Sequence, residues 1–126
     1  MPNSPWRAPM SGYGSALVVL DDERAMFATT LVLQEMGLTV DLATDLDSAL
    51  QWVGAADYAV VVCPGRADSS VLEFGKHVRY LARETRVFVF AERGFDDSGL
   101  RDIGAEVFPA PVDVNALVSR LWPAAA

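Results

Sequence analysis

Three consecutive acids, Asp21, Asp22 and Glu23, follow a short apolar run, Leu17-Val18-Val19-Leu20. Adjacent carboxylates in that position could hold a hard cation such as Mg²⁺, provided other oxygens complete its shell. A second apolar run, Tyr58 to Cys63, ends against Pro64 and Gly65. Proline has no carboxylate, hydroxyl or amine, so the thiol of Cys63 is the only reactive group at this junction. A cysteine inside an apolar run is ordinarily a small buried hydrophobe, although a thiol there could also serve as a redox sensor. His77, the single histidine, lies beside Lys76 and off the apolar stripe of its segment, as an ordinary exposed side chain would. Arg79, Arg83 and Arg86, with Arg93 and Arg101 further on, could form an anion site, because guanidinium forks match phosphates and stack on bases. A solvated helix face is the simpler reading of that set. No Gly-rich phosphate loop follows the first run, and no nucleophile–base pair is visible, which points away from an enzyme.

These residues need a scaffold to place them. The chain has 126 residues, enough for one domain with one sizeable core. Its 52% hydrophobic and 21% charged content is that of an ordinary globular protein. The net charge of −7 argues against a nonspecific grip on nucleic acid or anionic membrane. One cysteine excludes an intrachain disulfide framework and a cysteine-based zinc site. No apolar run approaches the roughly 20 residues of a membrane span, and no basic-then-apolar leader opens the sequence. The expected location is therefore the cytoplasm.

Along the chain, strand-like and helix-like patterns alternate. Residues 1–15 hold three prolines, two glycines and three serines without apolar periodicity, and read as a flexible arm. Leu17 to Leu20 is wholly apolar, as a parallel strand buried on both faces should be. A helix follows from about Glu23 to Met36, with Gly37 suited to a left-handed cap. Leu38 to Ala43 is the second strand. Thr44 then opens a helix with a capping-box-like spacing to Asp47, and Leu46, Ala49, Leu50 and Val53 share one face. Trp52 falls off that stripe, which suits either an interface anchor or packing against a neighbouring helix. Tyr58 to Cys63 is the third strand, and Val71, Phe74, Val78 and Leu81 form the stripe of the third helix. Val87 to Phe90 is the fourth strand. A weak helix is expected between Gly94 and Ile103, a brief fifth strand at Glu106 to Phe108, and a last helix capped by Asp113. Residues 16–122 thus form the domain and 123–126 a short tail. Five strands alternating with helices predict an α/β doubly wound sheet with helices on both faces, whose site lies at the C-terminal ends of the strands.

The segments Leu17 to Glu23, Tyr58 to Cys63, Gly104-Ala105 and Phe108-Pro109-Ala110-Pro111-Val112-Asp113 together resemble the receiver domain of bacterial two-component response regulators. The resemblance covers about Ala16 to Leu121. It implies the CheY-like, flavodoxin-like fold with strand order 2-1-3-4-5. It also implies Mg²⁺ at the acidic pair, here Asp21 and Asp22, and a phosphoryl-accepting aspartate at the position of Pro64. The family's Ser or Thr falls on Ala91, and its lysine on Ala110, ahead of the retained Pro111. Three of the four functional positions therefore lack the required groups. With two of three carboxylates left, Mg²⁺ is expected to bind weakly or not at all, and Asp21 and Asp22 read as loop acids that cap the first helix. Neither Asp57, at the wrong end of the sheet, nor Asp68, four residues late, is a good substitute acceptor.

The expectation is a pseudo-receiver that works in signal transduction through phosphorylation-independent protein contact, without cofactor, metal or enzymatic activity. A histidine kinase, another regulator or a second copy is the expected partner, a homodimer included, and neither nucleic acid nor membrane is. In the family an aromatic residue on strand five helps report phosphorylation; that position falls on Val107, or on Phe108 if the register shifts by one. Trp52, Val107 and Phe108 are the candidate contact residues. The alternative is a sensor of a small anionic ligand, such as a cyclic dinucleotide, bound by the arginines or in the strand-end cleft.

Overall fold

The computed structural model describes residues 14–66, 70–109 and 114–125. The expected arm over residues 1–13, Asp68, Ala110, Pro111 and the Asp113 cap lie outside the described residues. Five strands, β1 (Ser15–Val18), β2 (Thr39–Leu42), β3 (Val60–Gly65), β4 (Arg86–Ala91) and β5 (Glu106–Pro109), form one sheet in the order β2-β1-β3-β4-β5, and every pairing is parallel. Five helices alternate with them: α1 (Glu23–Glu35), α2 (Leu46–Ala55), α3 (Ser70–Leu81), α4 (Ser98–Asp102) and α5 (Val114–Ala125). The doubly wound sheet and its strand order are those the sequence predicts.

Alternation along each strand divides the core in two. Leu17, Val61, Cys63, Val87 and Val89 point to one face, where Ala49, Val53, Phe74, Val78 and Leu100 bring α2, α3 and α4 against them. Ala16, Val18, Val60, Val62, Phe88, Phe90 and Phe108 point to the other, where Leu33 of α1 and Leu117 of α5 cover them. Burial on both faces is why the central strands read as unbroken apolar runs.

Element ends depart from the sequence reading where the deciding contact is distant in the chain. β3 starts at Val60 and runs on through Pro64 and Gly65, so the proline lies inside the strand and not beyond it. A parallel strand points successive residues' backbone groups to alternate neighbours. Val62 accepts from Val19 on the β1 side, and Gly65 accepts from Glu92 on the β4 side. Pro64 therefore turns its missing donor toward β1, where the bond from Val19 to Val62 is the last of the ladder, and the pairing with β4 is kept. The cap of α2 is Asp45 and not Thr44: the Asp45 backbone is extended, and its carboxylate accepts from the Ser48 N–H at 2.7 Å. Gly37 follows α1 at φ 96°, as the predicted left-handed cap requires.

The end of the sheet opposite the expected site is closed by hydrogen bonds. Thr85, buried, donates to the Tyr58 carbonyl at 2.6 Å, and the Tyr58 hydroxyl donates to Asp41 at 2.7 Å. Arg79, at the end of α3, donates to the carbonyls of Ile103, Arg83 and Thr85 at 3.0, 2.7 and 2.9 Å. One guanidinium thus ties α3 to the turn after α4 and to the start of β4.

Candidate functional site

The loop after β1 begins buried and ends exposed. Val19 continues the ladder by donating to Val62 at 2.8 Å, Leu20 is buried, and Asp21 and Asp22 emerge into solvent. Asp22 caps α1, its Oδ1 accepting from the Arg24 N–H at 3.2 Å, which is the capping role expected of the acidic pair. Asp21 has a different task. It is ion-paired with Arg66, the residue directly after β3. Sequence reading passed over Arg66; its place immediately beyond Pro64-Gly65, one strand away from the acids, was the available signal.

At the ends of the two neighbouring strands the side chains are inert. Pro64 is aligned with Phe90, and Gly65 with Ala91. The approach there is close: a Cβ on Gly65 would lie 2.8 Å from Val89 Cγ1 and 3.0 Å from the Ala91 Cα. The strand-end surface over β3 and β4 is therefore a proline ring, a bare glycine and a methyl group. A cleft of about 290 Å³ opens beside it, between the β1 and β3 ends and the first turn of α2, where Asp21, Asp45, Asp47, Arg66 and Pro64 line it. Its charged groups are three carboxylates and one guanidinium. Asp45 is held below the usual carboxylate range, chiefly by the hydrogen bond from the Ser48 backbone.

No cluster of three or more metal-ligating side chains exists among the described residues. Asp21 is already neutralised by Arg66, and Asp22 is turned to its helix, so the two acids are poorly disposed to share a cation. Cys63 lies one residue before Pro64 but faces the core; its sulfur is 3.7 Å from the Phe88 carbonyl, and burial pushes the thiol up to about 12. His77 is exposed on α3, with Nδ1 2.9 Å from the Glu73 carbonyl. The structure brings no nucleophile and base together among the described residues.

The other sequence candidates separate cleanly. Trp52 is 42% exposed on α2. Val107 is half-buried against the α3 and α4 side of the core. Phe108 is not a surface residue: it is buried with its ring 5.4 Å from Phe90 and 5.6 Å from Phe88. Of the arginines, Arg79 is spent on carbonyls, Arg86 pairs with Glu106 at 2.8 Å, and Arg101 pairs with Asp97 at 2.8 Å. Arg83 and Arg93 are exposed.

Against solved structures the whole described architecture finds close counterparts. A response regulator from Burkholderia pseudomallei, solved with a phosphorylated aspartic acid, calcium ion and citrate, matches at TM-score 0.73 and 21% identity, over 89% of this chain and 68% of that one. The chemotaxis protein CheY4 of Vibrio cholerae matches at TM-score 0.71 and 19% identity, over 87% of this chain and 97% of the other. The non-phosphorylated HemR receiver domain of Leptospira biflexa matches at 0.74 and 19%, over 90% and 94%. The chain has the receiver-domain fold. No family model matches its sequence, and no curated protein does. In receiver-fold terms, the carboxyl ends of β1, β3 and β4 here carry Asp21 and Asp22, Pro64, and Ala91. No helix among the described residues is long and apolar enough to cross a membrane.

Proposed function

We propose that this chain is a degenerate receiver module of signal transduction, which acts by contact with another protein and neither accepts a phosphoryl group nor catalyses a reaction. The observation that supports this reading most is the strand-end surface itself. Where the receiver fold would present an acceptor carboxylate and a hydroxyl, β3 and β4 end in Pro64 and Ala91. Phosphoryl transfer needs an attacking oxygen and groups that stabilise charge on the transferred oxygens, and neither side chain offers one. The cation that would neutralise that charge also meets a prior occupant, because Arg66 already holds Asp21. Partners of the expected kinds are a histidine kinase, another regulator or a second copy, and the expected setting is the cytoplasm.

The anionic-ligand reading loses its support in the arginines. Three of the five candidates, Arg79, Arg86 and Arg101, are engaged with carbonyls or carboxylates, and the strand-end cleft sets three carboxylates, Asp21, Asp45 and Asp47, against the one guanidinium of Arg66.

The deciding experiment is an amide NMR spectrum of the chain with Mg²⁺, before and after beryllofluoride. The expected result is no change beyond that of a buffer control. Shifts localised to Asp21, Gly65 and Glu92 would overturn the proposal.

A further inference from the structure

A second cleft, of about 550 Å³, opens where α2 and α3 end and β3 and β4 begin, lined by Val53, Ala56, Asp57, Leu81, Arg83 and Glu84 among others. Leu81 is the last residue of the apolar stripe whose other members, Val71, Phe74 and Val78, are buried, yet in this cleft it is 51% exposed. The two walls differ in charge. At the α3 wall, Arg83 and the Arg79 guanidinium, bonded to the carbonyls of Arg83 and Thr85, stand beside Glu84 and the negative end of the helix. The α2 wall has no such compensation: its last turn holds no basic residue, and exposed Asp57 follows it without an ion pair among the described residues. The chain enters the fold beside that wall. The Ala59 N–H donates to the Ser15 carbonyl of β1 at 2.9 Å, and the two residues before Ala59, Asp57 and Tyr58, line the cleft.

We infer that this cleft is the docking site of the chain's own residues 1–13, with Trp6 against Leu81 and Arg7 toward Asp57 and the end of α2. The segment has the matching chemistry: Trp6, Met10 and Tyr13, one cation, Arg7, and no acid, in a chain whose net charge is −7. It also has the reach. Adjacent strands lie about 4.8 Å apart, so a chain leaving β1 at Gly14 starts one strand spacing from the α2 wall. Trp6 is eight residues further on, and at about 3.3 Å per residue it can extend to about 26 Å. Pro5 and Pro9 bracket Trp6 and Arg7 and limit the freedom lost on docking. The tether supplies the rest. A short flexible linker sets an effective concentration in the millimolar range, so an intrinsic dissociation constant of about 1 mM keeps the cleft filled about half the time. A second copy at micromolar concentration competes poorly with a segment already attached.

The test is paramagnetic relaxation on the full chain carrying a nitroxide at Ser4→Cys; the one native thiol, Cys63, is buried and stays unlabelled. The control lies on the other flank of the chain's entry, where the Thr39 N–H donates to the Gly14 carbonyl and exposed Gly37 stands two residues before it, as Asp57 does before Ala59. Amides of Ala55, Asp57, Leu81 and Glu84 are expected to broaden at least about twofold more than that of Gly37, since a tether alone treats both flanks alike. Trp6→Ala and Arg7→Glu, both ahead of the first strand, should each bring the two flanks close to equality, and so should Leu81→Ser from the cleft side. Equal broadening on both flanks of the native chain would overturn the inference, as would a cleft signal that survives both Trp6→Ala and Leu81→Ser. A mixture of nitroxide-bearing chain with isotope-labelled chain lacking the nitroxide should show no broadening in the cleft; broadening there would mean that another copy's segment is the occupant. The beryllofluoride experiment reads the opposite end of the sheet, and its outcome is separate.

Discussion

Arg66, directly after β3, forms an ion pair with Asp21, in the loop after β1. Both side chains are about half exposed, at 49% and 52%. The pair joins two adjacent strand ends and places a fixed positive charge where an acidic pair would otherwise draw in a divalent cation.

Removing that charge should have little effect on folding. Arg66→Ala is expected to change stability by under about 1 kcal/mol, since exposed ion pairs contribute little. The effect should appear in cation binding. Pro64→Asp alone adds a carboxylate beside a competing guanidinium, whereas Pro64→Asp with Arg66→Ala leaves the carboxylates free. Mg²⁺ titration followed by NMR should show binding at least about tenfold tighter in the double variant than in Pro64→Asp. Equal affinities would show that Arg66 does not guard the site.

Arg79 is the opposite case, an arginine whose removal should be costly. Arg79→Ala strips donors from three carbonyls, those of Ile103, Arg83 and Thr85. Urea unfolding is expected to report a loss of about 2 to 3 kcal/mol, because hydrogen bonds from a charged donor are the stronger kind. Arg79→Lys should recover only part of it, as an ammonium cannot span the same fork.

Phe108 and Trp52 should separate core from surface. Phe108→Ala opens a void between the Phe88 and Phe90 rings, with an expected cost of about 3 kcal/mol or more. Trp52→Ala, at a residue 42% exposed, should cost far less and alter partner binding before stability.

Cys63 should be chemically silent in the folded chain. Burial raises its thiol from 9.0 to about 12, so the protonated form is the folded-state species at neutral pH. Disulfide-exchange reagents should label it only at the rate of unfolding, as stopped-flow labelling with and without urea would show. The linkage follows from the sign of the shift. The thiol's contribution to stability is complete below pH 9 and is lost as the pH rises from there toward 12, because the unfolded thiol ionises first. Cys63→Ala should remove that alkaline component from the stability–pH curve.

The strands were easy to see because their cause is local: burial on both faces forces a continuous apolar run, and Tyr58 to Cys63 and Val87 to Phe90 have one. Their ends were harder. Whether β3 can include Pro64 depends on which neighbour its missing donor faces, and that is set by where β1 stops. The choice of Asp45 over Thr44 as the α2 cap likewise rests on backbone direction, with both residues chemically suitable. At the site, the acids and the inert Pro64 and Ala91 could be read directly. The Arg66 partner was passed over although the expected strand order already made β1 and β3 neighbours, since an arginine just beyond a strand carries no pattern that says which acid it meets. The arginines after His77 looked like a solvated face, yet Arg79 turns inward, because three carbonyls from two chain reversals converge on it.

The tight seam between Gly65 and Ala91 bears on how such a module could change. Recovery of phosphoryl acceptance would need a carboxylate at 64, the loss of the Arg66 charge, a hydroxyl at 91 beside a backbone with little slack, and an amine at 110. No one of these steps supplies the groups that the others would bring. On the proposed reading the strand end is a ratchet: a stray kinase that docked on this chain would leave no mark, and no single substitution would open it to phosphoryl crosstalk.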